Sequence, residues 1–205
     1  GFRRTGNNDP IISLQLRAAN FELLDIDRTR KTNSEFIFLS PKIAIQNQKV
    51  RLDELTLFKV LSLNDSKIVI PGDTNFAWGV EVGKFNLSEN CDHCNVLQAT
   101  GTLGKAFNLD NNMSIYALVN VSMHQSKLNA GNFSLSTQAG LLYTLGSSKL
   151  NLDLKNIEHK GDNYFDDEVF SIAYQFNFNN DFSFAVKGEN AINHWSFGLE
   201  INQYF

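Results

Sequence analysis

The sequence holds no apolar run long enough for a membrane-spanning helix, which takes about 20 consecutive residues; its longest hydrophobic stretches are only a few residues. A helical membrane anchor is thereby excluded. A spanning barrel is not, because each of its strands shows only alternation. An excess of charge is equally scarce: 18 Lys and Arg stand against 22 Asp and Glu, a net charge of −4. The charges are interspersed, so no basic patch meets a phosphate backbone and no nucleic-acid partner is expected. Proline is sparse at three residues and cysteine at two. No signal peptide is legible between Gly1 and Pro10, as expected of a trimmed chain or of a fragment of a longer protein, and the fragment is the expectation here.

What the chain does have is alternation. Aromatics make up 12% of it, 17 of them Phe, which with abundant Asn and Ser favours many short strands joined by polar turns. At 205 residues it is expected to form a single domain over 1–205. The final stretch is the most telling. Trp195, Phe197, Leu199 and Ile201 alternate with Ser196, Gly198, Glu200 and Asn202 up to a terminal Phe205, so one face is apolar and the other wet. A last strand of this kind resembles the closing strand of bacterial outer-membrane barrels, whose apolar band meets lipid between aromatic girdles. That resemblance implies contact with outer-membrane lipid and recognition by the barrel-assembly machinery through Phe205.

Further strands are expected at 11–19, 35–45, 49–62, 76–86, 96–108, 113–122, 133–143, 149–155, 170–178 and 182–189, each alternating apolar with polar residues. Asn20 to Asn33 is polar and charged, with Phe21, Leu23, Leu24 and Ile26 suggesting a short helical turn. Back from the C-terminus the connections run medium at Asn190–Asn193, tight at Asn179–Asn180, long at Glu158–Asp166, tight at Gly146–Ser147, long at His124–Asn132, tight at Asp110–Asn111 and long at Leu87–Asn95. Short periplasmic turns alternating with longer outer loops is the outer-membrane arrangement. The expected fold is all-β, an antiparallel up-and-down transmembrane barrel of about twelve strands, with ten also possible. Eleven strands are visible, and bacterial barrels have even numbers. A twelfth around Lys67–Ile70 would restore parity; without it the rhythm slips before Leu87.

Three groups of residues could carry function. Cys91 and Cys94 flank Asp92-His93, and in an oxidising envelope two nearby thiols are expected to form a loop disulfide. Half a metal site or a redox motif is the alternative, but His124, His159 and His194 are scattered and no helix start is evident. No metal and no cofactor are expected. His194, Ser196 and Glu200 share a strand face at i, i+2 and i+6, a loose likeness to the His-x-Ser of outer-membrane lipid A deacylases; the competing reading is polar residues lining a lumen. Glu81, Lys105, Asp153, Lys155, Lys187 and Glu200 are all expected to point inward. There they would cross-pair and fill the interior or, alternatively, line a small ion-selective pore. A soluble β-barrel that binds a ligand or protein partner remains the non-membrane alternative.

Several segments carry a family resemblance: Leu16-Arg17-Ala18-Ala19 through Phe21-Glu22-Leu23-Leu24-Asp25, Glu35-Phe36-Ile37-Phe38-Leu39, Val50 through Leu57, Ile70-Pro71, Phe76 through Val80, and Gly198 to Phe205. In order, they resemble the C-terminal domain of a family of Gram-negative envelope proteins. There an N-terminal periplasmic domain, papain-like and related to the lipoprotein intramolecular transacylase, precedes a β-rich region. The resemblance implies an outer-membrane domain that anchors or scaffolds a periplasmic partner domain of its own chain. The family's catalytic Cys and His belong to that other domain, so Cys91 and Cys94 do not correspond to them.

Overall fold

The computed structural model describes residues 2–4, 10–15, 19–21, 23–24, 33–46, 49–64, 76–86, 95–125, 133–160, 166–178, 182–191 and 194–203. Among them are thirteen strands: β1 (Phe2–Arg4), β2 (Pro10–Gln15), β3 (Ala19–Phe21), β4 (Ser34–Gln46), β5 (Lys49–Ser62), β6 (Ala77–Asn86), β7 (Asn95–Asn108), β8 (Met113–Gln125), β9 (Phe133–Leu145), β10 (Ser148–Lys160), β11 (Asp166–Asn177), β12 (Phe182–Ala191) and β13 (His194–Gln203). From β4 to β13 each strand pairs antiparallel with its neighbour in sequence. The ends of this meander meet through β1 and β2. Phe2 pairs with Leu199 of β13, Ile12 of β2 pairs with Phe2, and Ile12 to Gln15 pair with Ile45 to Lys42 of β4.

The sheet is therefore a closed barrel. Strand β3 continues β2 along β4, Ala19 to Phe21 pairing with Phe38 to Phe36, so β2 and β3 occupy one place in a circuit of twelve. The twelfth place is filled by Phe2–Arg4 at the N-terminal end, and not by the expected strand around Lys67–Ile70. That segment lies outside the described residues, and β5 and β6 pair directly with one another. The expected strand at 11–19 is divided between β2 and β3.

Alternation fixes which side chains face out. Along β8, Ser114, Tyr116, Leu118, Asn120, Ser122 and His124 are buried, while Ala117, Val119, Val121 and Met123 between them are exposed. In a soluble sandwich the apolar set would be the hidden one. Here it is inverted: Leu103 is 66% exposed, Met123 67% and Ile201 79%. From Leu97 to Phe107, ten residue-to-residue steps along β7 at about 3.3 Å each and a tilt near 40° give a band about 25 Å tall, the height of an outer-membrane apolar belt. Aromatic rings cluster on this outer surface, with Trp195 stacked on Phe197 at 5.8 Å, Phe170 edge-on to Trp195 at 6.2 Å and Phe36 edge-on to Phe58 at 5.9 Å. Among the described residues no helix is long and apolar enough to cross a membrane, which bears on helices alone.

Two irregularities re-aim side chains near β5. The register slips between Thr56 and Phe58 against β6, and at Asp53 against Lys42 and Ile43 of β4. Leu39, in the left-handed region at φ 48°, sits opposite the first slip. Each extra residue flips the inward set, so Glu54 and Thr56 point into the barrel on one side of Leu57, and Lys59 and Leu61 do so on the other.

Candidate functional site

An apolar cluster lies among buried polar residues at one end of the lumen. Strands β3, β5 and β13 end, and β4 and β6 begin, at the end called proximal here. Just inside it, Leu24 packs with Leu61, Leu63, Ala77, Ala106, Tyr116, Leu118 and Leu142, and Leu23 and Ala173 lie against this cluster. Leu24 belongs to a turn at Leu23–Leu24 between β3 and β4; the other members line the wall from β5 to β11. Lys149, on β10, donates from Nζ to the Leu23 carbonyl oxygen at 2.8 Å and to Asn33 Oδ1 at 3.1 Å. Asn33 Nδ2 donates to Ser114 Oγ at 3.4 Å, and its carbonyl accepts from Leu63 N at 2.9 Å. Strands β4 and β10 are six places apart whichever way the twelve-place circuit is followed. Asn33, just before β4, therefore reaches across the lumen to Lys149 on the opposite wall.

Tyr116 organises the middle of the wall. It pairs with Gly140, which pairs in turn with Asp153, so the phenol lies across the glycine and its hydroxyl donates to the Asp153 carboxylate. A Cβ at Gly140 would sit 2.2 Å from the tyrosine ring; only glycine leaves this crossing open. Asp153 also accepts from Gln138 Nε2 at 2.8 Å. A ladder of amides and hydroxyls continues toward the other, distal end: Thr102 donates to Asn120 at 2.7 Å, Asn120 to Ser136 at 3.2 Å, and Thr100 and Ser122 lie 2.8 Å apart.

The ion pairs among the inward charges join neighbouring strands. Lys59 pairs with Glu35 at 3.1 Å, Lys42 with Glu54 at 3.3 Å and Lys187 with Glu200 at 2.8 Å, and Lys155 lies within electrostatic reach of Glu81, Lys59, Asp153 and Glu189. Of the six charges expected inside, Glu81, Asp153, Lys155, Lys187 and Glu200 are on the inward face. Lys105 is not. It shares the outward face with Leu103 and Phe107, and its ammonium lies over the Phe76 ring, 5.8 Å from the centroid. Period two allows it no other side, and at the belt's proximal edge its stem can lie on apolar surface while the charge reaches the aqueous boundary.

The other candidates are less fully placed. By backbone register His194 is opposite Ala191 and Ser196 opposite Glu189, but their side chains lie outside the described residues, and Glu200 is held by Lys187. Cys91, Cys94 and Phe205 also lie outside them. Among the described residues no group of three His, Cys, Asp or Glu is gathered to hold a metal. Leu23, Leu24, Asn33 and Lys149 are brought together only by the fold. The signal in the sequence is the group Leu23, Leu24 and Ile26 inside a charged connection, since apolar residues gain nothing there unless buried.

A family model described as a domain of unknown function, DUF7840, matches residues 1–204. The chain belongs to this family. Among curated proteins none matches the DUF7840 chain in sequence. Among solved structures it is similar to the KdgM porin in complex with disordered oligogalacturonate, at 11% identity and a TM-score of 0.54, covering 100% of this chain and 96% of that one. The KdgM porin alone gives 10% identity over the same shares with the same TM-score. At such identity the likeness concerns the fold: the DUF7840 domain is built as an outer-membrane-type β-barrel.

Proposed function

We propose that this domain sits in the outer membrane of a Gram-negative bacterium as a closed, non-catalytic barrel that anchors a periplasmic domain of the same protein. The observation that carries the proposal is the inverted surface, a ring of exposed apolar side chains about 25 Å tall around a polar, ion-paired interior. Such a surface is stable against lipid and unstable against water. The proximal end, where β13 finishes, faces the periplasm, so a domain preceding residue 1 would be held on the inner side of the membrane. The papain-like character of that domain is supported by the resemblance of the segments from Leu16 to Val80 and of the last strand. With Glu35, Glu54 and Glu200 engaged by lysines, the barrel's work here is mechanical.

The test is heat-modifiable gel migration of the detergent-refolded domain beside its behaviour when detergent is withdrawn. Faster migration before boiling together with aggregation on withdrawal is the expected result. Full solubility without detergent and no migration shift would overturn the membrane assignment in favour of a soluble barrel that binds a ligand or partner. For the anchoring role, deleting residues 1–205 from the parent protein is expected to release its periplasmic part from the outer-membrane fraction; continued sedimentation with the membrane would refute it.

A further inference from the structure

We infer that the residues immediately before Gly1 in the parent protein are themselves part of the barrel wall, filling a slot one strand wide between β2 and β13 at the proximal end. The inference rests on the anchoring role proposed above and deepens it, because the tether to the periplasmic domain becomes a strand of the barrel. Three observations converge. The first is a mismatch in pairing along β13. Strand β12 pairs with all ten of its residues, His194 to Gln203, whereas β1 pairs only with Gly198 and Leu199. Strand β2 shows the same step. Ile12 pairs on one side with Phe2 and on the other with Ile45, but among the described residues Ser13, Leu14 and Gln15 pair only with Ala44, Ile43 and Lys42 of β4.

The second observation is the width of what lies between. Ile12, Phe2 and Leu199 form one row across β2, β1 and β13, which holds the outer two strands two spacings apart, about 9.6 Å. Two places nearer the proximal end, the corresponding row contains Leu14 and Ile201 with no described residue between them, and β2 and β13 do not pair with one another. The slot therefore takes one strand and no more. The third is direction. Strand β1 is antiparallel to β13, so it runs away from the proximal end, and its backward continuation from Phe2 enters the slot in register. Gly1 and about three residues before it extend β1 as far as Gln203. In lipid the slot needs such an occupant. Every second residue of each edge aims its N–H and C=O into it, and backbone groups in the hydrocarbon must be paired within the protein. A strand takes about 9–11 residues to cross a bilayer, and Phe2–Arg4 supplies three. The upstream chain is joined covalently to β1, is collinear with it and arrives from the periplasmic side, where the slot begins.

The test is disulfide trapping in the parent protein, with Cys91→Ser and Cys94→Ser removing the barrel's own thiols and a cysteine placed at the residue immediately before Gly1. By register that residue falls between Leu14 and Ile201. Mild oxidation is expected to link it to Ile201→Cys, and in a separate variant to Leu14→Cys, about tenfold more than to Phe197→Cys. The last lies about 13 Å further along β13, beyond the roughly 7 Å between Cα atoms that a disulfide spans. Linked peptides are read by mass spectrometry, and heat-modifiable migration shows that each variant is folded. Folded protein without these links, or linked equally to Phe197→Cys, overturns the inference. A linked species of twice the mass overturns it in favour of a second copy in the slot. Should the cysteine variants not fold, the domain 1–205 is compared with one begun about eight residues upstream, enough to complete a spanning strand. The longer form is expected to unfold about 0.5 M or more higher in urea, and midpoints within about 0.2 M of each other overturn the added strand. If neither form shows heat-modifiable migration, the membrane placement itself fails and takes the inference with it, a result told apart from the others by the missing shift.

Discussion

The crossing of Tyr116 over Gly140 offers the sharpest quantitative test of the lumen. Tyr116→Phe keeps the ring in the apolar cluster and removes only the hydroxyl that donates to Asp153. Asp153 is 8% exposed and keeps Gln138 at 2.8 Å, so the carboxylate is left short of one donor and not stripped. Loss of a hydrogen bond to a charged group in such a place costs about 1.5–3 kcal/mol. With a urea dependence of about 3 kcal/mol per molar for a chain of this size, the midpoint should fall by roughly 0.5–1 M. Gly140→Ala is expected to do comparable damage by a different route, because its Cβ would overlap the ring at 2.2 Å. The two changes act on one contact, so the double variant should be much less destabilised than the sum of the singles. The assay is urea unfolding of the lipid-inserted domain followed by Trp78 and Trp195 fluorescence. Additive effects, or a Tyr116→Phe midpoint within about 0.2 M of the unaltered protein, would show that the hydroxyl does not hold Asp153 and that the crossing is not a unit.

Other expectations follow from the same geometry. Leu199→Lys, on the outward face near the middle of β13, should lower the fraction folded into vesicles by the equivalent of about 2–4 kcal/mol, whereas Gly198→Ser on the inward face should be tolerated; gel migration before boiling reads both. Lys187→Met should cost about 1 kcal/mol in urea unfolding, well below a fully buried pair, since the partners' side chains are 34% and 25% exposed. Changing Glu200→Leu as well should recover most of that loss, and a double variant less stable than Lys187→Met would argue against the pairing. Ser196→Ala should leave any lipid hydrolysis by the purified barrel unchanged, measured as fatty acid released from vesicles, and a loss of such activity would revive the catalytic alternative.

Much of the barrel could be read from the residues because a strand between lipid and lumen must alternate, and alternation is local. From β6 to β13 the sequence pattern shows both the strands and the faces of Glu81, Asp153, Lys155, Lys187 and Glu200. Where a fold depends on more than the period, the pattern fails. Phe2–Arg4 is too short to alternate and carries two arginines, so the strand that closes the circuit was sought at Lys67–Ile70. Extra residues near Asp53 and Leu57 shift parity without leaving a mark that the residues themselves reveal. Lys105 was assigned by its charge when its parity with Leu103 and Phe107 already placed it outside. The contact from Leu23 and Asn33 to Lys149 is the least legible feature, because it joins residues more than a hundred positions apart, and no local pattern anticipates it.

The closure through β1 also bears on how the barrel assembles. From β4 to β13 every pairing joins strands adjacent in sequence, so the meander can zip up through short loops whose closure entropy is small. Phe2 and Arg3 against Leu199 and Gly198 are different, since they bring together the two ends of the whole chain. Nearly all the long-range entropy of the topology is concentrated in that clasp, which among the described residues is also the barrel's shortest pairing. It should be the last junction to form and the first to part, so the refolding rate should respond to changes in the flexibility of residues 5–9 far more than to equal changes in the hairpin at 146–147.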